Sequence, residues 1–496
     1  MSSLRSRSPE ALYHPIPQAP LASHPVLPAE PDIEMEDEAD PDGAHESTHP
    51  HFTHVDARVR WIFFILGCAV LLPWNVVMIT ATPYFTARLS ASSIKPTFSS
   101  YLSTSFTASN SIFLAHATAT SKKNAPSRQI IVSILCLSVL TALLTLSTFV
   151  HTTAGFFFAF VLLNGIAQAA FGSYLQTSCI AVASLFGPTA VQPMMSGQAG
   201  VAVVVSGVQV LSALASVRGD SDIEASSVPT GGHGEAEERS AFMFFGLSTL
   251  FLLASAGAQV WLTNMPAYKT VAGSLEARAK TDADEIDAEE TQGLVSGGRH
   301  DAPEEKRKIF RIAKANVVYE VAVAYVFVVT LAVFPPITTS VASTNSSMHT
   351  LLFSSIHFFV FGVGDFFGRY ICSFPRLLTW SPKRLLTLSF ARTLFVPLFL
   401  MCNIQRPSSS AYTPIINSDF IFMLILFLFA LSNGYVSSMC MMSAPSLEHN
   451  HRLKTREDID VAATVANFCL ILGLATGSIM SFAVRGAVCH CNPFTS

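Results

Sequence analysis

Long apolar runs alternate with short polar ones from residue 61 to residue 486. Eleven of them are nearly free of charge. They lie at about 61–85, 98–120, 129–150, 154–183, 190–217, 240–263, 312–340, 350–374, 385–402, 419–442 and 459–486. Each is about 20 residues or more, the length that a helix needs to cross a bilayer. Backbone polar groups cannot be left unpaired in lipid, so the runs are expected to be helices rather than irregular segments. The pattern therefore predicts an all-α integral membrane protein with 11 transmembrane helices.

The polar stretches organise these runs. Residues 1–58 are rich in Pro, His, Asp and Glu and lack apolar periodicity, which predicts a disordered cytosolic tail. No short apolar core of a signal peptide lies near Met1. Residues 264–311 include TDADEIDAEETQGLVSGGRHDAPEEKRK, a charged stretch low in aromatics, which predicts a flexible cytosolic loop. This loop divides the helices into bundles of six (59–263) and five (312–486), and residues 487–496 form a short non-cytosolic C-terminus. Two bundles that rock about a site at the midplane are a common transporter design.

Composition agrees. Half of the residues are apolar and 13% are charged, against about 25% in a soluble domain. Mean hydropathy is +0.44. The net charge of −4 resides mostly in the tail and loops, and nothing in it points to nucleic acid. Lys and Arg orient the chain. With the N-terminus in the cytosol, inside loops carry 18 of them and outside loops carry 5. Asn345-Ser346-Ser347, an N-glycosylation acceptor, then falls outside. Trp61, Trp261 and Trp380 fall at inner span ends, where Trp prefers to sit, whereas Trp74 lies inside the first span. The nine cysteines are mostly scattered within spans. Cys489-His490-Cys491 cannot complete a four-ligand metal site alone, so neither metal nor cofactor is expected.

Polar residues inside the spans carry the candidate chemistry. FGVGDFFGRY (361–370) places Asp365 and Arg369 among phenylalanines. A charge at the bilayer centre costs about 2.5–3.5 kcal/mol on insertion scales, and such residues commonly mark function. Four apart on a helix, the two can pair. They can form a structural ion pair that joins helices, or a substrate site in a watery cavity. Phe358, Phe361, Asp365 and Arg369 share about 80° of helical arc at 100° per residue. Two aromatics beside a donor–acceptor pair suit a flat ligand with hydroxyls, and the same stripe also suits packed core. In LLPWNVVMITATPYF, Pro73 and Pro83 can bend the first helix. Leu71, Trp74 and Met78 form one stripe there, with Asn75 alongside. In the fourth span, Gly172 and Gln176 are one turn apart. The Gln176 amide can read a polar edge or bond a neighbouring helix. The small residues of MMSGQAGVAVVVSG in the fifth span allow close helix contact.

These segments resemble equilibrative nucleoside transporters. LLPWNVVMITATPYF is similar to the family's first-helix signature, MMSGQAG (194–200) to its fifth-helix motif, DFFGR (365–369) to its D-x-x-G-R eighth-helix motif, and FALSNGYVSSMCM (429–441) to its tenth-helix stretch. The four come in the family's order. The resemblance implies a major-facilitator-like fold with one helix fewer, and passage of nucleosides, and in some members nucleobases, by alternating access. It implies that Asp365 and Arg369 contact ribose, that Gln176 with Gly172 recognises the base, that Leu71, Trp74 and Met78 line the cavity, and that Gly197 is functionally sensitive. Gly362 stands where some members carry a polar residue, which bears on base selectivity.

No H-E-x-x-H, G-x-S-x-G or Walker A pattern is present, so an enzyme is not expected. With no ATP site, transport must run downhill or on an ion gradient, protons included. The expected partners are nucleosides and the lipid bilayer, with the chain a monomer in a plasma or vacuole-like membrane. The rival readings are a major-facilitator carrier of sugars or other small polar solutes, and a receptor that passes nothing.

Overall fold

The structure is a computed structural model that describes residues 55–80, 84–85, 88–89, 98–120, 125–150, 152–223, 233–274, 276–277, 301–335, 337–345, 347–404 and 414–489. The expected tail before residue 55, the heart of the loop at 278–300, Pro83, and His490 and Cys491 lie outside the described residues.

The described chain is helical, with two isolated β-bridges in the connections. Its helices are α1 (Ala57–Trp74), continued by a π-helical turn at Asn75–Thr80, α2 (Phe98–Thr120), α3 (Pro126–Ser147), α4 (Ala154–Leu185), α5 (Pro188–Ile223) and α6 (His233–Asn264). Then follow α7 (Asp301–Val333), α8 (Thr350–Ile371), α9 (Pro382–Ala391), a 3-10 turn at Arg392–Leu394, α10 (Phe395–Leu400), α11 (Asp419–Ser443) and α12 (Glu457–Cys489). Local chemistry sets several starts. Asp56 accepts from Arg58 N at the head of α1, Pro126 opens α3, and Ser418 accepts from Ile421 N before α11. Gly187, at φ +85°, makes the turn between α4 and α5 in the left-handed region that glycine enters without steric cost.

Nine helices among the described residues are long and apolar enough to cross a membrane: α1, α3 to α8, α11 and α12. Helix α3 buries Ile130, Ile134 and Leu137 and exposes Val132, Leu135, Val139 and Leu143. A helix apolar on both faces belongs in lipid. The chain is an integral membrane protein. Two other expected spans differ from these nine. Helix α2 forms as expected over 98–120, but Ser and Thr lower its apolar content. The span expected at 385–402 is interrupted by the 3-10 turn where Arg392 turns inward, so it consists of two short helices. The loop expected to be flexible is helical near both ends, at 266–274 and 301–311. Glu276 anchors the first of these by accepting from Tyr268 Oη (2.8 Å) and Ser127 Oγ (2.8 Å).

Helices α1 to α6 pack mostly on one another, as do α7 to α12. The two sets meet where α5 crosses α8 and α11, and where α12 crosses α4 and α2.

Candidate functional site

Helix α8 lies against both α11 and α5, and glycines set how closely. A Cβ at Gly368 would collide with the Leu431 carbonyl oxygen, and one at Gly434 with the Asp365 carbonyl oxygen. Small residues let membrane helices approach backbone to backbone. That approach brings α11 side chains onto Asp365. Gly197 does the same for the other set: a Cβ there would collide with the Phe64 carbonyl oxygen of α1.

A chain of hydrogen bonds runs through this crossing. Arg369 Nε donates to Asp365 Oδ2 at 2.9 Å, and both residues are buried. Asn433 Nδ2 donates to Asp365 Oδ1 at 2.7 Å. The Asn433 amide is oriented by its other end, where Oδ1 accepts from the Thr330 hydroxyl at 2.7 Å. Thr330 in turn accepts from Arg392 Nη2 at 2.7 Å. Arg392 is 1% exposed; it also donates to the Phe429 carbonyl at 2.8 Å, bonds Ser432, and lies 4.6 Å over the Phe429 ring. On the far side, Arg369 Nη1 reaches across to α5 and donates to the Met195 carbonyl at 3.1 Å. Gln192 of α5 donates back to the Arg369 carbonyl at 3.2 Å. Asp365 thus sits between two guanidinium groups, one in direct contact and one reached through Asn433 and Thr330. A buried charge that loses its partner is strongly penalised, so the set holds together as a unit.

The other expected residues make contacts of different kinds. Phe361 stacks on Phe334 at 3.9 Å and 14°, and Phe358 meets the same ring edge-on at 5.4 Å, so both belong to an aromatic cluster that also holds His357. Leu71 is half-buried. Trp74 is 36% exposed although it lies within a span, and it edges onto Phe106 at 5.2 Å. The bend expected near Pro73 takes the form of the π turn, and Asn75 Nδ2 occupies the Leu71 carbonyl at 3.0 Å. The Met78 side chain lies outside the described residues. Gly172 borders open space, since a Cβ there would meet nothing within 4 Å. Gln176 does not contact the charged pair; its Nε2 donates to Asn467 Oδ1 of α12 at 2.8 Å. Exposed Asn345 accepts from Ser347 N at 3.0 Å.

Arg392, Thr330 and Asn467 are absent from the expectations drawn from the sequence. Arg392 carried the same signal as Asp365, a charge inside an apolar run. Thr330 and Asn467 carried none, because their roles depend on which helices meet.

The fold compares with solved membrane transporters. The proton:xylose symporter XylE, of the major facilitator superfamily, matches with a TM-score of 0.55 at 10% identity, over 88% of this chain and 91% of that one. The Escherichia coli fucose:proton symporter FucP matches at 0.51 and 13% identity, over 87% and 93%. The chain is thus a helical membrane protein whose fold is similar to that of these two transporters. A family model described as nucleoside transporter matches residues 159–486. The chain belongs to the nucleoside transporter family, among its equilibrative members. Equilibrative nucleoside transporter 1 of Rattus norvegicus is 27% identical over 86% of this chain and 96% of its own length. Nucleoside transporter FUN26 of Saccharomyces cerevisiae is 26% identical over 85% and 82%.

Proposed function

We propose that this chain carries nucleosides across a membrane by alternating access, with Asp365 and Arg369 as the sugar-binding pair. The observation that carries this reading is the buried Asp365–Arg369 pair at the junction of α8 with α5 and α11, in a member of this family. A carboxylate accepts from sugar hydroxyls, and a guanidinium donates to hydroxyl and ring oxygens. A neutral nucleoside exchanges those bonds without moving net charge. Arg369 also holds the Met195 carbonyl across the junction. A sugar that draws the guanidinium toward itself loosens that contact, which ties binding to relative movement of α5 and α8. Gln176 reads the base, with Gly172 leaving room beside it. Leu71, Trp74, Met78, Phe358 and Phe361 form apolar walls.

In this reading eleven segments cross the bilayer, α2 and the broken α9–α10 segment joining the nine long helices. They form a six-helix and a five-helix bundle, the N-terminus is cytosolic, and the carrier works as a monomer in a plasma or vacuole-like membrane. Uptake of labelled adenosine into proteoliposomes tests the function. We expect saturable uptake competed by uridine and not by glucose, and an imposed pH gradient to show whether protons are coupled. Equal competition by glucose would favour a sugar carrier, and absence of flux a receptor.

A further inference from the structure

The Gln176–Asn467 contact is one of the places where the two sets of helices touch through side chains. Its chemistry is incomplete. Gln176 Nε2 donates to Asn467 Oδ1 at 2.8 Å, and that leaves the other half of each amide. Asn467 is 2% exposed, and its Nδ2 has no hydrogen-bond partner. A buried amide N–H without a partner carries a desolvation penalty that native cores almost always remove. The residue that Asn467 bonds, Gln176, lies one helical turn from Gly172, where a Cβ would meet no atom within 4 Å. Gln176 itself is only half-buried.

From this geometry we infer that Asn467 is a specificity-determining residue: with Gln176 it forms a paired-amide site that reads the polar edge of the nucleobase, and its Nδ2 donates to a carbonyl oxygen there. This rests on the nucleoside reading above and adds a residue from α12 to it. Locking the two amides together by one hydrogen bond fixes which end of each remains free. Gln176 keeps an acceptor and Asn467 keeps a donor. Such a pair complements an edge that presents a carbonyl beside an N–H, as uracil and hypoxanthine do. It is less suited to an edge that presents an amino group, as cytosine and adenine do. Because the two amides come from α4 and α12, the base is read only when both sets of helices are in contact. Recognition of the base is thereby joined to closure on that side.

The test exploits two pairs of nucleosides that differ by one exchange of carbonyl for amino group: inosine against adenosine, and uridine against cytidine. Asn467→Asp keeps the oxygen that accepts from Gln176 and replaces the free donor by an acceptor. Asn467→Leu removes both. Uptake of all four nucleosides into proteoliposomes is measured for the full chain and both variants, with thermal unfolding as a check that each variant is folded. The expected result is a fall of about tenfold in the inosine-to-adenosine and uridine-to-cytidine ratios for Asn467→Asp, since one unmade hydrogen bond is worth about a decade. Asn467→Leu is expected to move both ratios in the same direction by less. If the parent takes up nucleosides and neither variant changes either ratio, Asn467 is a helix contact and this assignment is overturned alone. If the parent takes up none of the four, the nucleoside reading falls and this assignment falls with it.

Discussion

Asn433 is held from both sides, and so it shows how the centre works at the scale of single residues. Thr330 fixes its oxygen, which leaves its amide N–H₂ aimed at Asp365. Asn433→Leu removes a neutral donor from a charged acceptor, a loss of about 1.5–3 kcal/mol. We expect uptake of adenosine and uridine to fall together, by tenfold or more, because ribose is common to both. Gln176→Ala has a different signature: a fall of about tenfold with a changed purine-to-pyrimidine ratio, since it loses one neutral hydrogen bond to the base. Kinetics of the two substrates across a concentration series separate the cases. Equal scaling of both substrates by Gln176→Ala would make that residue a helix contact only. At this scale the sequence was informative where an ionisable group interrupts an apolar run. Asp365 and Arg369 stood out on that ground, and Arg392 met the same criterion. Thr330 and Asn467 did not, because a lone Thr or Asn inside a span is ordinary and acquires meaning only from the helix across from it. Phe361 was legible as part of the face but not as the partner of Phe334, which directly follows α7.

At the scale of elements, the glycines of α5, α8 and α11 decide how near the backbones approach. Gly434→Val would drive a branched side chain into the Asp365 carbonyl, and α8 would have to move off α11. Overpacking of this kind costs typically about 1–3 kcal/mol, and here it would also pull Asn433 from Asp365. A lower unfolding temperature and a loss of uptake should appear together in Gly434→Val. An unchanged unfolding temperature would contradict the close crossing. Gly257 is the control: a Cβ there meets nothing within 4 Å, so Gly257→Ala should leave both quantities unchanged. Apolar run length located these elements well, and eight of the eleven runs became unbroken helices that are long and apolar enough to cross. The other three depart for local reasons. Pro73 lacks an amide hydrogen, and α1 gives way to a π turn within two residues of it. Helix α2 is rich in Ser and Thr, although it is unbroken. The 385–402 run breaks at Arg392, whose side chain turns in to Thr330 and Phe429.

For the whole molecule, alternating access requires two sets of helices that move against each other around the polar centre. The contacts that join them are few in kind: α5 on α8 and α11, and α12 on α4 and α2. The proposed orientation, drawn from loop charge, predicts that a tag inserted at residue 280 faces the cytosol and is protected from external protease in sealed cells, while Asn345 acquires a glycan on the secretory route. Cleavage of the tag from outside would invert the map. The proposed function turns on substrate binding at the buried pair on α8. Its most direct test is saturable adenosine uptake by Asp365→Asn and Arg369→Ala in proteoliposomes matched for protein content, with thermal unfolding measured alongside. Asp365→Asn, which keeps the shape of the side chain, is expected to remain folded and to lose uptake of adenosine and uridine alike. A folded Asp365→Asn protein with parental uptake would contradict substrate binding at this pair.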